Sequence, residues 1–234
     1  MLATVVNCIV IIICGLLGTF FKKYINEKYT AAILTGLAIV VFTIGMSYAL
    51  KTTDTIGVII CIILGILIGE FCKIEDRLEK LGEILKKKLI PPSHQSSTFV
   101  QSFVTGSLLF CIGSMAIVGS MEAGINGDPT IIFSKSIIDG IAAISFAITL
   151  GVGVVFAGFS VLIYQGALTI LAVQVAPYLS TSIVTQMSAV GGILMIGIAI
   201  NMLDLKKISV GNMLPAIFLP LLYHPISTWL ISLF

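Results

Sequence analysis

The sequence predicts an all-α fold, a polytopic membrane bundle of about eight spanning helices, and three observations carry that prediction. Of its 234 residues, 58% are hydrophobic and 10% are charged, more apolar surface than one soluble core can hide. Mean hydropathy is +1.14. Uncharged apolar runs approach the length of about 20 residues that lets a helix cross hydrocarbon. Barrel strands would instead show short alternating segments, and lipid tolerates only helices and closed barrels.

Divided at charges and turn residues, the chain gives spans near 2–21, 31–50, 55–72, 99–121, 136–156, 158–178, 182–203 and 208–232. The first lacks a basic n-region and a small-residue cleavage site before Lys22, so it reads as a retained span. Only Gly158 and its neighbours separate the fifth from the sixth. The eighth contains Pro215, Pro220 and Pro225, which predict two half-helices or a kink. The whole chain, 1–234, reads as one membrane domain.

Between the third and fourth spans lies "KIEDRLEKLGEILKKKLIPPSHQSST". Ile74, Leu78, Leu81, Leu85 and Leu89 recur at helical spacing, and Pro91 and Pro92 stop the pattern, which predicts an amphipathic helix over 74–89. It suits either a linker on the membrane surface or a gate or docking helix for a partner, and Lys86, Lys87 and Lys88 suit anionic headgroups in both roles.

Charge orients the bundle. With the N-terminus outside, the cytoplasmic loops hold Lys22, Lys23, Lys28, Lys73, Arg77, Lys80, Lys86, Lys87, Lys88, Lys206 and Lys207, against Lys51 and Lys135 outside. That positive-inside bias predicts both termini outside. The net charge of +2 gives no reason to expect nucleic acid as a partner. Cys8, Cys14, Cys61, Cys72 and Cys111 sit in or at the ends of apolar runs without a CxxC pair, as free small hydrophobic residues do.

Polar groups placed where hydrocarbon penalises them point to function. They are Asn7, Glu70, Gln101, Ser114, Glu122, Lys135, Asp139, Ser145, Gln165, Gln174, Asn201 and Asn212. Asp139 follows Lys135 by four residues, a spacing that fits a helical ion pair or a cation or proton site with Lys135 as its modulating partner. Gln165 and Asn201 fall deep in their spans, and Asn212 precedes Pro215 in "GNMLPAI". Each fits interhelical hydrogen bonding or ligand contact. In "FCIGSMAIVGSMEAGINGD", Gly113, Ser114, Gly119 and Ser120 interrupt the span, and Glu122 and Asp128 follow it. The expected substrate- or ion-binding set is therefore Gly113, Ser114, Glu122, Asp139, Gln165, Asn201 and Asn212.

Glycine pairs such as Gly65 and Gly69 predict close helix contacts, and a homodimer through one such face is compatible with them. Ile44-Gly45 recurs as Ile196-Gly197, and Val58 as Val210, both displaced by 152 (196 minus 44, 210 minus 58). In the topology above, that relation suggests spans 1–3 and 6–8 as inverted halves around a central hairpin of spans 4 and 5.

Several motifs carry a family resemblance: "ALKTTD", "GEFCKIEDRLEKLG", "LLFCIGSMAIVGSMEAGINGD", "KSIIDGIAAISFAITLGVGV", "IYQGALTIL", "MSAVGGILMIGIAINML" and "ISVGNMLPAI". In this order the chain resembles the YdfK/YqgA type of bacterial inner-membrane proteins, a family of unknown function. The resemblance implies a multi-span bacterial plasma-membrane protein and no particular chemistry.

HExxH, P-loop and GxSxG motifs are missing, and His94 and His224 are far apart in sequence. The expectation is a non-enzymatic protein without cofactor or metal. Its expected role is transport of a small solute or ion, as a secondary transporter or channel through a path lined by spans 4 and 5. The alternative is a membrane scaffold or sensor subunit acting through the helix over 74–89.

Overall fold

The computed structural model describes residues 1–52, 54–89 and 98–231, which form helices and no strand. The helices are α1 (Leu2–Lys22), α2 (Glu27–Ala49), α3 (Thr55–Cys72), α4 (Ile74–Leu89), α5 (Phe99–Cys111), α6 (Ser114–Ile125), α7 (Thr130–Thr149) and α8 (Gly153–Ile170). A short α9 (Ala172–Val175), then α10 (Thr181–Met202), a 3-10 segment (Val210–Ile217) and α11 (Pro220–Ile231) complete the chain.

Among the described residues, six helices are long and apolar enough to cross a membrane: α1, α7, α8, α10, α3 and the part of α2 from Lys28. The count becomes seven if the bent pair α5 and α6 forms one span. Several expected boundaries need correction. The fifth span starts at Thr130 rather than near 136, because Asp128 accepts from both the backbone N–H and the hydroxyl of Thr130 and so sets up the helix start after Pro129. The sixth ends at Ile170 rather than near 178, where α9 and a 3-10 turn containing Pro177 follow. The eighth stretch, expected as two half-helices or a kinked one, is in two pieces among the described residues. Its prolines lack the N–H that an α-helical ladder needs, so it winds as the 3-10 segment and then as α11.

The fourth span breaks. Ile112 is extended (φ −81°, ψ 125°) and Gly113 has φ 142°, a conformation in which a Cβ is strained. α5 and α6 consequently meet at a bend of 58°. A helix end leaves its last carbonyls and its first amides without intrahelical partners, so the break concentrates backbone polar groups inside an apolar span.

Glycines and alanines set the helix packing. α1 lies along α7 in the same direction, with Gly140 against Val10 and Cys14 and Gly18 against Ala147. Three other pairs cross antiparallel. Gly158 of α8 meets Cys8 and Ile12 of α1 while Gly15 meets Val155; Gly45 of α2 meets Met195 while Gly192 of α10 meets Tyr48; and Gly65 and Gly69 of α3 meet Ala216 and Asn212 of the 3-10 segment. α10 is the most enclosed of the spans, and its glycines let neighbouring backbones approach closely. α4 turns off α3 at Lys73, which is left-handed (φ 51°), and packs Gly82 against Val100 and Phe103 of α5. Leu78 and Leu85 face the core while Leu81 and Ile84 remain exposed.

Candidate functional site

Four polar side chains from three helices meet inside the apolar bundle. Asn7 of α1 and Gln165 of α8 are 0% exposed, and Lys135 and Asp139 of α7 are 6% exposed. Asn7 Nδ2 donates to Asp139 Oδ2 at 3.0 Å and to Gln165 Oε1 at 2.8 Å. Lys135 Nζ donates to the same Asp139 oxygen in the one ion pair among the described residues. α1 brings Asn7 into reach because its glycine face lies against α7 and α8 at once.

The carboxylate orders the amides. Asp139 accepts only, so Asn7 turns its nitrogen towards it, and that nitrogen then requires the Gln165 oxygen. As a result, Asn7 Oδ1 and Gln165 Nε2 are buried without partners, as are Thr4 Oγ1 and Ser120 Oγ. Thr4 is one turn from Asn7 on α1. Ser120 follows Gly119 on α6, which packs against Ile131 and Ile132, about one turn before Lys135 on α7, while Gly124 faces Thr169 and Ala172 of α8. An unsatisfied buried polar atom costs about 1–3 kcal/mol, so the two on Asn7 and Gln165, side chains of one hydrogen-bonded layer, are expensive for a segment that only packs.

The layer adjoins the break. Cys111, the last residue of α5, lies close to both Lys135 and Asp139. Beside Gly113 an added Cβ would meet nothing within 4 Å. Cys111 and Ile112 also border an apolar cavity of about 460 Å³ between α5, α8 and the 3-10 segment, with Tyr164 and Phe218 on its far wall. A polar cavity of about 640 Å³ lies on the other flank of α5, lined by Gln101, Thr105, Asn201, Glu75, Lys86 and Lys206 among others. Val104 and Leu108 line both cavities.

The structure thus gathers Asp139 and Gln165 from the expected set and places Gly113 at the break beside them. The backbone of Ser114 opens α6, and its side chain lies outside the described residues. Glu122 is farther along α6, where it accepts from Asn126 Nδ2 at 2.7 Å. Asn201 and Asn212 are engaged elsewhere. Asn201 bonds both backbone groups of Ile208 (2.8 and 2.7 Å), closing the loop after α10. Asn212 Oδ1 accepts from Glu75 N at 2.7 Å, and Glu75 Oε2 accepts from Gly211 N, so α4 and the 3-10 segment cap each other. Burial pushes the Glu75 carboxyl above its ordinary value, against the opposing pull of the Gly211 N–H.

Thr4 is not singled out by sequence, because short hydroxyl side chains are common in spans. Asn7 stood among the penalised polar groups without a partner to name. A second polar contact also escaped: Asp54 caps α3 at Gly57 N (2.8 Å) and accepts from the buried Gln186 Nε2 (3.1 Å). The "TTDTIG" segment carries the capping half of that contact.

A family model described as "Protein of unknown function (DUF554)" matches residues 2–224. The "Uncharacterized protein YqgA" of Escherichia coli (strain K12) is 29% identical over 218 residues, 92% of this chain and 92% of its own length. The "Uncharacterized membrane protein YdfK" of Bacillus subtilis (strain 168) is 28% identical over 224 residues, 94% of each chain. No solved structure matches the chain. The similarity to these relatives, one named as a membrane protein, joins the apolar helices in describing a multi-pass membrane protein. With nearly its whole length covered by the family model, the chain belongs to the family described as protein of unknown function, DUF554.

Proposed function

We propose that the protein transports a small solute or ion across the bacterial inner membrane, as a secondary transporter or channel, along a path lined by the broken α5–α6 span and α7, with both termini outside. The observation that carries this reading is the buried layer of Asn7, Lys135, Asp139 and Gln165, with its unpartnered atoms, next to the break at Ile112–Gly113. Charge and orphan polar atoms inside a membrane are costly, and a transported ligand or ion is the ordinary reason to retain them. A broken helix adds free amides and carbonyls at the same depth.

The antiparallel crossings of α1 with α8, α2 with α10 and α3 with the 3-10 segment support a pair of inverted halves around the central hairpin. Val104 and Leu108, which line both cavities from either flank of α5, suit an apolar constriction beside the path. No ATP-binding motif occurs in the sequence, so the movement is secondary or passive unless a separate subunit supplies energy.

The test uses liposomes reconstituted with the full chain, loaded with a pH-sensitive dye and given imposed proton, sodium or potassium gradients, alongside radiolabelled small polar solutes. Gradient-dependent flux above that of protein-free liposomes is expected. Equality with protein-free liposomes for every ion and solute contradicts transport.

A further inference from the structure

We infer that the Asp139 layer is a binding site for a bare monovalent metal cation, and that the ammonium of Lys135 is a tethered surrogate for it. The inference rests on the transport reading above and names the ligand class of that site.

Asp139 holds a carboxyl 6% exposed among apolar helices, and while it stays ionised it needs a positive partner. In this structure the partner is the Lys135 ammonium, seated on Asp139 Oδ2. A lysine head is a compact charge of about potassium size on a flexible stem, so a seat that accepts it fits a dehydrated alkali cation in both size and charge.

The surrounding atoms have the right chemistry. Hard cations take oxygen ligands, and Asp139 Oδ2 and Gln165 Oε1 both lie within hydrogen-bond distance of one atom, Asn7 Nδ2. A half-turn of the Asn7 amide, a broad two-fold torsion, brings its unpartnered oxygen to face these two. Among the described residues the hydrogen bonds to Asp139 fall on Oδ2, which leaves Oδ1 as a further ligand. The unpartnered hydroxyl of Thr4, one turn from Asn7 on α1, is a further neutral oxygen near the layer. A single carboxylate matches one positive charge, and no group of three or more His, Cys, Asp or Glu suited to a metal ion occurs among the described residues, which disfavours a divalent ion. The close packing of Asn7 and Gln165, both 0% exposed, favours a bare ion over a larger organic solute.

The experiment measures binding, so that it stands apart from flux. The full chain is purified in detergent, and its melting temperature is followed through titrations of sodium chloride, potassium chloride or choline chloride at matched ionic strength. In Lys135→Met, sodium or potassium is expected to raise the melting temperature saturably while choline does not. Half-saturation should fall about tenfold or more below that of the wild type, equivalent to about 1.4 kcal/mol of relieved competition. Asp139→Asn should abolish the difference between salts. Lys135→Gln is the second variant, because its amide retains a donor for Asp139. Recovery of either variant only in sodium or potassium also supports the site. Lys135 variants that respond alike to all three salts, or that cannot be recovered in any of them, contradict it. Binding without flux in liposomes would leave the cation site standing and remove transport; flux with no cation-specific stabilisation would do the reverse.

Discussion

Asn7 Nδ2 lies 3.0 Å from Asp139 Oδ2, joining the first helix of the chain to the seventh across 132 residues of sequence. One amide thereby serves a carboxylate and a second amide at once, and the orientation of the whole layer follows from the charge on Asp139.

Asn7→Ala removes the donor shared by Asp139 and Gln165 and leaves both acceptors buried with fewer partners. A loss of about 1–3 kcal/mol of stability is expected. Thermal unfolding of the purified variant in detergent measures it, and a melting temperature equal to that of the wild type contradicts the hydrogen-bonded layer.

Gly69 and Gly36 make a matched pair of helical glycines. A methyl at Gly69 would overlap the Asn212 carbonyl of the 3-10 segment, whereas one at Gly36 meets nothing within 4 Å. Gly69→Ala should destabilise by several kcal/mol or prevent folding, as forced overpacking of a close backbone contact does, while Gly36→Ala should be neutral or gain about 0.5–1 kcal/mol from helix propensity. Comparing their melting temperatures tests whether α3 packs on the 3-10 segment as described.

The Gly113 position isolates backbone strain from crowding. Its φ of 142° resists a side chain, yet the space beside it is open. Gly113→Ala is therefore expected to cost about 1–3 kcal/mol through the backbone alone. A variant as stable as the wild type would mean that the break is not held at this residue.

Glu75 supplies a pH dependence. Because burial raises its carboxyl in the folded protein, the folded state binds that proton more tightly than the unfolded chain does. Its stabilising contribution is full below its ordinary value of 4.5 and is lost as pH rises through the raised folded value. Glu75→Gln keeps an oxygen for the Gly211 N–H and has no proton to lose, so stability measured across that acid window should vary less with pH than in the wild type. An unchanged pH profile contradicts the raised carboxyl.

How much of this was legible in the sequence depends on the range of the interaction. Apolar run length located α1, α2, α3 and α10 well, because the helix period and the hydrocarbon thickness are local constraints. The same holds for α4, whose leucine spacing marked 74–89. The start of α7 was displaced because the "DPT" turn that sets it is a capping signal rather than a hydropathy signal. The break at Ile112–Gly113 was signalled by glycine and serine, but Ile44-Gly45 and Ile196-Gly197 lie within continuous helices, so the dipeptide alone does not decide between a break and close packing.

Asp139 and Gln165 announced themselves by their solvation cost. Their convergence with Asn7 did not, because residues 132 and 158 positions apart in sequence are joined only by the packing of α1 against α7 and α8. Asn201 and Asn212 carried the same signal for a different reason: a loop and a helix start leave backbone groups that these amides satisfy.

Initial flux rates of wild type, Asp139→Asn and Asn201→Ala in the same liposomes test the transport path most directly. Asp139→Asn keeps the side-chain shape and removes the charge, while Asn201→Ala weakens a loop away from the layer. With the path through the layer, Asp139→Asn should lower the initial rate about tenfold or more, and Asn201→Ala, corrected for the amount of folded protein, should stay within about twofold of wild type. Equal rates for wild type and Asp139→Asn would contradict a route through Asp139.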